Sequence, residues 1–281
     1  MVSFGSDQAE GLRRMLGGPK PRIFTFFSAT PTEEKGAMLV NLGASLLQSG
    51  SNVLLVDACR TTRGIASGIE ALRGRSLLQV ARRECEVDDI IQQMPQGFGV
   101  AALMDSQYVA AADPRVMRGL SDAFEELTTR ADILVVDAEL NDDNTFPIPA
   151  LASSEIVVQV STRPESITSA YAIIKRVSSQ LGKRPFSVLV TGASDKEAQV
   201  VYKNMAQAAN RYLSVKLNSL GSVPADEHLT RASRLGRAVV DAFPLAGASV
   251  AFRRLAGRFA PSEPATGEFH GISANGANLG T

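Results

Sequence analysis

The chain has 281 residues, 44% hydrophobic and 21% charged, enough to bury one substantial core and unlike a fibrous or disordered composition. Lysine plus arginine equals aspartate plus glutamate at 29 each, so no overall field draws nucleic acid or anionic lipid, and direct nucleic-acid binding is not expected. Cys59 and Cys85 lack metal-ligand spacing, MVSFGSDQAEGLRR has no secretory apolar region, and no apolar run approaches the roughly 20 residues of a membrane span, which predicts a reduced, cytoplasmic protein.

The first patterned segment is SDQAEGLRRML, residues 6–16. Asp7 and Glu10 have capping-box spacing, and Gln8, Ala9, Leu12, Met15 and Leu16 share one helical face. A helix of about nine residues is shorter than the roughly 12–15 that hold alone in water, so it must dock, either on its own body or on a partner. GGPKP, 17–21, follows as a hinge. Near-continuously apolar runs then come at 22–29, 52–58, 98–104, 132–138, 155–161, 186–192 and, more weakly, 215–223. Such runs suit strands covered on both faces. Helical spacing fills 35–49, 114–130, 164–181 and 194–212 between them. Strand alternating with helix predicts an α/β fold with a mainly parallel, doubly wound sheet, helices on both faces and ligands at the carboxyl ends of the strands. From Pro261 the composition turns to Pro, Gly, Ser, Asn and Thr, expected to form a disordered tail. The predicted organisation is 1–21 as helix and hinge, 22–260 as the main domain and 261–281 as the tail.

After the first strand come Lys35, a helix carrying Asn41 and Leu42, the turn at Gly50, and VLLVDA ending in Asp57. This order resembles the deviant Walker A, P-loop ATPases of the MinD/ParA type, whose loop reads KGGVGKT and is followed by VLLVDAD. The resemblance places the loop on Thr30, Pro31, Thr32, Glu33, Glu34, Lys35 and Gly36, where only the lysine survives. Pro31 removes one N–H donor, and Thr32 and Glu34 resist the positive φ that glycines allow. Glu33 and Glu34 bring negative charge to the phosphate position; a like-charged pair at about 4 Å costs about 4 kcal/mol at an effective dielectric of 20. Gly36 replaces the family's magnesium-binding threonine, Thr30 its signature lysine, and Cys59 the second aspartate of its DxD. Asp137, in DILVVDAEL, matches the Walker B aspartate, and Thr191 with Gly192 stands where relatives carry a base-reading asparagine. Lys35, Gly36, Asp57 and Asp137 are therefore read as vestigial nucleotide-binding positions, with no catalytic residue, metal or cofactor; ATP and magnesium enter only if the altered loop still closes on nucleotide. By themselves, Lys35 reads as a solvated helix-start lysine or a residual phosphate contact, the two aspartates as hydrogen-bond acceptors or metal-site residues, and Cys59 as a small buried side chain.

Asp7, Gln8, Ala9, Leu12 and Arg13 also form DQAxxLR, which resembles the N-terminal activator helix of the FlhG (FleN, YlxH) family of flagellar-number regulators. The resemblance implies that this helix binds FlhF, a signal-recognition-type GTPase, and stimulates GTP hydrolysis with Gln8 near the catalytic arrangement. Residues 220–259 resemble the family's carboxyl region, with Phe252, Leu255 and Phe259 on one face of a last helix and Arg253, Arg254 and Arg258 on the other. That helix either closes the core or touches anionic lipid. The implied protein is a pseudo-ATPase regulator, cytoplasmic or recruited to the membrane at the flagellar pole with weak or indirect membrane contact. Its implied partners are the GTPase, a flagellar transcriptional activator or rotor protein, and a second copy of itself. The alternatives are a working ATP-driven membrane switch and a non-flagellar binding scaffold on an inherited fold.

Overall fold

The computed structural model describes residues 20–59, 64–65, 75–103 and 114–259. The calls on the N-terminal helix and on the tail lie outside them. The strands are β1 (Arg22–Ser28), β2 (Val53–Ala58), β3 (Gln92–Gln93), β4 (Gly99–Ala102), β5 (Ile133–Ala138), β6 (Glu155–Ser161), β7 (Phe186–Thr191) and β8 (Leu217–Val223). The helices are α1 (Thr32–Gln48), α2 (Leu77–Ala81), α3 (Pro114–Thr128), α4 (Pro164–Leu181), α5 (Asp195–Leu213), α6 (Glu227–Arg234), α7 (Val239–Ala242) and α8 (Gly247–Phe259). One sheet runs β3-β4-β2-β5-β1-β6-β7-β8, parallel except for the β3–β4 pair. β2 and β5 are buried at every residue, which explains why their sequences run apolar without alternation up to the aspartate near the end of each.

Two apolar layers flank the sheet. One packs Leu54, Val136 and Val158 against Leu120, Phe124 and Ile174 of α3 and α4. The other packs Phe24, Phe26, Leu55 and Val135 against Leu39 and Leu42 of α1 and Phe252, Leu255 and Phe259 of α8. The Phe259 ring meets Phe24 edge-on, with centroids 4.4 Å apart. The apolar face of α8 is thus spent on the core, which excludes it as a lipid-facing surface; its arginines point outward, and Arg258 donates to the Ser219 and Leu220 carbonyls of the edge strand β8. Among the described residues no helix is long and apolar enough to cross a membrane. Asn41 ties the helices of this layer together, accepting from the Val239 N–H at 2.6 Å and donating to the Ala37 carbonyl at 2.7 Å.

Candidate functional site

Parallel register brings the site together. β2 and β5 pair with Asp57 directly beside Asp137, and β1 ends next to them at Ser28. Both aspartates therefore stand at the carboxyl edge of the sheet, where such folds hold ligands.

The segment that the family resemblance places in a phosphate loop is mostly helix. α1 begins at Thr32, three residues earlier than helical spacing predicts, and only Ala29 to Pro31 link it to β1. Pro31 sits at the N-cap with φ −56°, and Glu33 and Glu34 occupy the first turn, where carboxylates favour the positive end of the helix dipole. The residues that replace glycine thus extend the helix backwards. The Lys35 N–H is already spent on the Pro31 carbonyl at 3.0 Å.

Lys35 is not a solvated lysine. It is 5% exposed and turns inward, its Nζ 2.9 Å from Asp137 Oδ2 and 3.6 Å from Cys59 Sγ. Burial, the largest influence, pulls the ammonium down, but Asp137 and then Cys59 outweigh it and hold Lys35 above its ordinary pKa. Asp137 Oδ2 also accepts from the Ile65 N–H at 3.1 Å, while Asp137 Oδ1 is buried without a hydrogen-bond partner among the described residues. Asp57 Oδ1 accepts from the Cys59 N–H at 2.9 Å, and the Cys59 thiol points at the Asp137 carbonyl at 3.6 Å. Burial pushes that thiol far up, which favours the protonated form of this small buried side chain. The ligand atoms of Asp57, Cys59 and Asp137 lie within 4.8 Å of one another, close enough to share a cation, but the Lys35 ammonium already supplies positive charge there.

Above the pair opens a cleft of about 360 Å³ lined by Ser28, Thr30, Thr32, Glu33, Lys35 and Glu139. Glu34 turns aside to Arg163 at 3.0 Å, both side chains about half exposed. Gly36 lies in the second turn of α1 and brings no hydroxyl. Thr191 accepts from Gln159 Nε2 at 3.4 Å, and Gly192 takes φ +70°. Sequence spacing did not single out Gly64 and Ile65, which close over the aspartates: a Cβ at Gly64 would fall 2.0 Å from Asp57 Oδ2. The only signal was a glycine shortly after the second strand. Arg163, at the N-cap of α4, was likewise silent. Asp7, Gln8, Ala9, Leu12 and Arg13 lie outside the described residues.

Sheet order and the position of the site define an α/β protein of the MinD/ParA P-loop class. The MinD cell division protein of Aquifex aeolicus superposes with a TM-score of 0.60 at 19% identity, covering 84% of this chain and 95% of that one. The MinD of Pyrococcus horikoshii complexed with Mg-ADP gives 0.57 at 20%, covering 85% and 95%. Within that class the chain belongs to the FleN family: it is 32% identical over 223 residues to the antiactivator FleN of Pseudomonas aeruginosa, 77% of this chain and 78% of that protein. It is also 26% identical over 252 residues to the flagellum site-determining protein YlxH of Helicobacter pylori, 80% and 81% of the two chains. No protein-family model matches the chain.

Proposed function

We propose that the protein regulates flagellar number or placement, and does so as a pseudo-ATPase that binds an FlhF-type GTPase through residues 6–16 and stimulates its GTP hydrolysis. Kinship with FleN and YlxH supports the flagellar setting. The observation that carries the pseudo-ATPase reading is the buried Lys35–Asp137 pair under a helix that starts at Thr32. The residues present do not fit a triphosphate with magnesium. The lysine that would reach the phosphates is engaged by a carboxylate, Glu33 lines the cleft, and the backbone between Ser28 and Thr32 is too short to offer the run of N–H groups that cradles phosphate. Chemistry then belongs to the partner, where Gln8 supplied in trans orders the attacking water and Arg13 pairs with an acid. A transcriptional activator or rotor protein as further partner, a homodimer and recruitment to the polar membrane complete the proposal.

The full chain is expected to raise the GTPase rate of its partner without ATP, and removal of residues 1–18 to abolish that effect; stimulation unchanged by the removal overturns the proposal. An ATP-driven switch keeps one observation in its favour, the convergence of Lys35, Asp57 and Asp137 at the strand ends. Calorimetry separates the two, since micromolar Mg-ATP binding that disappears in Lys35→Ala would establish the switch.

A further inference from the structure

A groove of about 780 Å³ runs along α3 beside the turn after α2. Among its mostly polar lining stand the half-buried Val80 and Cys85 and the buried Ala123. Its wall on α3 is ordered by charge: Arg115 and Arg118 stand at the start of the helix, Asp122 and Glu126 towards its end, with Glu86 across from them.

α3 descends from the carboxyl edge of the sheet to the amino edge, so the basic end of the groove is uppermost and the acidic end lowermost. The chain joins the sheet at that lower edge. The Arg22 N–H donates to the Asp132 carbonyl at 2.9 Å, the Asp132 N–H to the Asn52 carbonyl at 2.9 Å, and Arg130 pairs with Asp88 at 2.8 Å, two residues from Glu86. β1 is two places from β2 in the sheet, about 10 Å at about 4.8 Å per strand. Residues 17–21, extended at about 3.3 Å each, reach about 16 Å.

We infer that this groove is the docking surface for the chain's own residues 6–16. The segment has Leu12, Met15 and Leu16 on one face, acids Asp7 and Glu10 at its start and Arg13 and Arg14 at its end. Tethered from below, it sets its arginines against Glu126 and Glu86 and its acids against Arg115 and Arg118, which is the order the wall presents. Lengths agree as well: Arg115 to Glu126 spans about 16 Å of helix and residues 6–16 about 15 Å. A nine-residue helix that cannot hold alone thereby gains apolar contacts with Val80 and Ala123 and two charge contacts. Docking does not depend on whether the same segment also binds a GTPase; if it does, the groove and the partner compete for one helix face.

Cys85 on the groove floor reports occupancy, and buried Cys59 is a silent internal control. In the full chain, N-ethylmaleimide should label Cys85 about tenfold faster after Leu12→Asp with Met15→Asp than in the unaltered protein. Arg118→Glu with Glu126→Arg, both exposed positions, should give the same acceleration. Reversing the segment as well, with Asp7→Arg, Glu10→Arg, Arg13→Glu and Arg14→Glu, should restore protection. Equal labelling in the unaltered chain and in Leu12→Asp/Met15→Asp overturns the inference, and so does protection that persists in those variants but disappears when residues 261–281 are removed. GTPase stimulation is a separate readout, so a chain that protects Cys85 yet stimulates nothing refutes the functional proposal alone.

Discussion

The two ends of α1 do opposite things. Its body presses Leu39, Leu42 and Leu46 into an apolar layer closed by Phe252 and Phe259 of α8, none of them more than 1% exposed. Its first turns instead carry Lys35 into a pocket of aspartates, with one carboxylate oxygen lacking a partner among the described residues. The first arrangement stabilises by removing apolar surface from water, about 25 cal/mol per Å². The second does not need to exist for stability, since burying two charges costs about as much as their attraction returns. A layer that is almost wholly apolar reads as framework, and a charged cluster that is tolerated beside it reads as the remnant of a site.

Truncation should tell the two ends apart. Phe259→Ala removes a ring that no neighbour can replace and is expected to cost about 3–5 kcal/mol in urea unfolding. Asp137→Ala strands a buried ammonium and is expected to cost about 3 kcal/mol, at the low end for a broken buried pair because Lys35 can swing into the open cleft above it. The sharper comparison is the double replacement, Lys35→Met with Asp137→Leu, expected to unfold within about 1 kcal/mol of the unaltered protein. A large loss in that double variant would mean that the pair is structural, and the contrast between the two ends of the helix would fail.

Much of the framework is legible in the sequence because parallel strands buried on both faces are written as unbroken apolar runs. All seven expected strands are present and 164–181 is helical over its whole predicted length. β3, with two residues, and α2, with five, are too short to leave a period. The start of α1 was misplaced because a loop pattern borrowed from relatives overrode the local preference of Glu33 and Glu34 for a first helical turn. The site was legible as residues but not as contacts. Lys35, Asp57 and Asp137 are far apart in the chain, and β5 is inserted between β1 and β2, an order that no local pattern encodes. Burial of Lys35 follows from that insertion, which sets Asp137 within reach of its ammonium.

The smallest effect comes from a carboxylate that works for the framework. Asp226 caps α6 by accepting from the His228 N–H at 2.9 Å and reaches the first turn of α8 by accepting from the Ala248 N–H at 2.9 Å, with His228 Nδ1 at 2.7 Å. Burial, the largest single influence, raises its pKa, but the two N–H groups and His228 together bring it below the ordinary 3.8. A carboxylate lowered in the folded state contributes stability that is fully present above about pH 3.8 and is lost as pH falls through the folded value. Asp226→Asn keeps one acceptor oxygen and loses the charge, so it is expected to cost about 1 kcal/mol at neutral pH. As pH falls below 3.8 towards the folded value the gap to the unaltered protein should narrow, since protonation removes the same charge there. Urea midpoints measured between pH 6 and pH 3 check this, and a gap that stays constant over that range would assign the loss to geometry instead of charge.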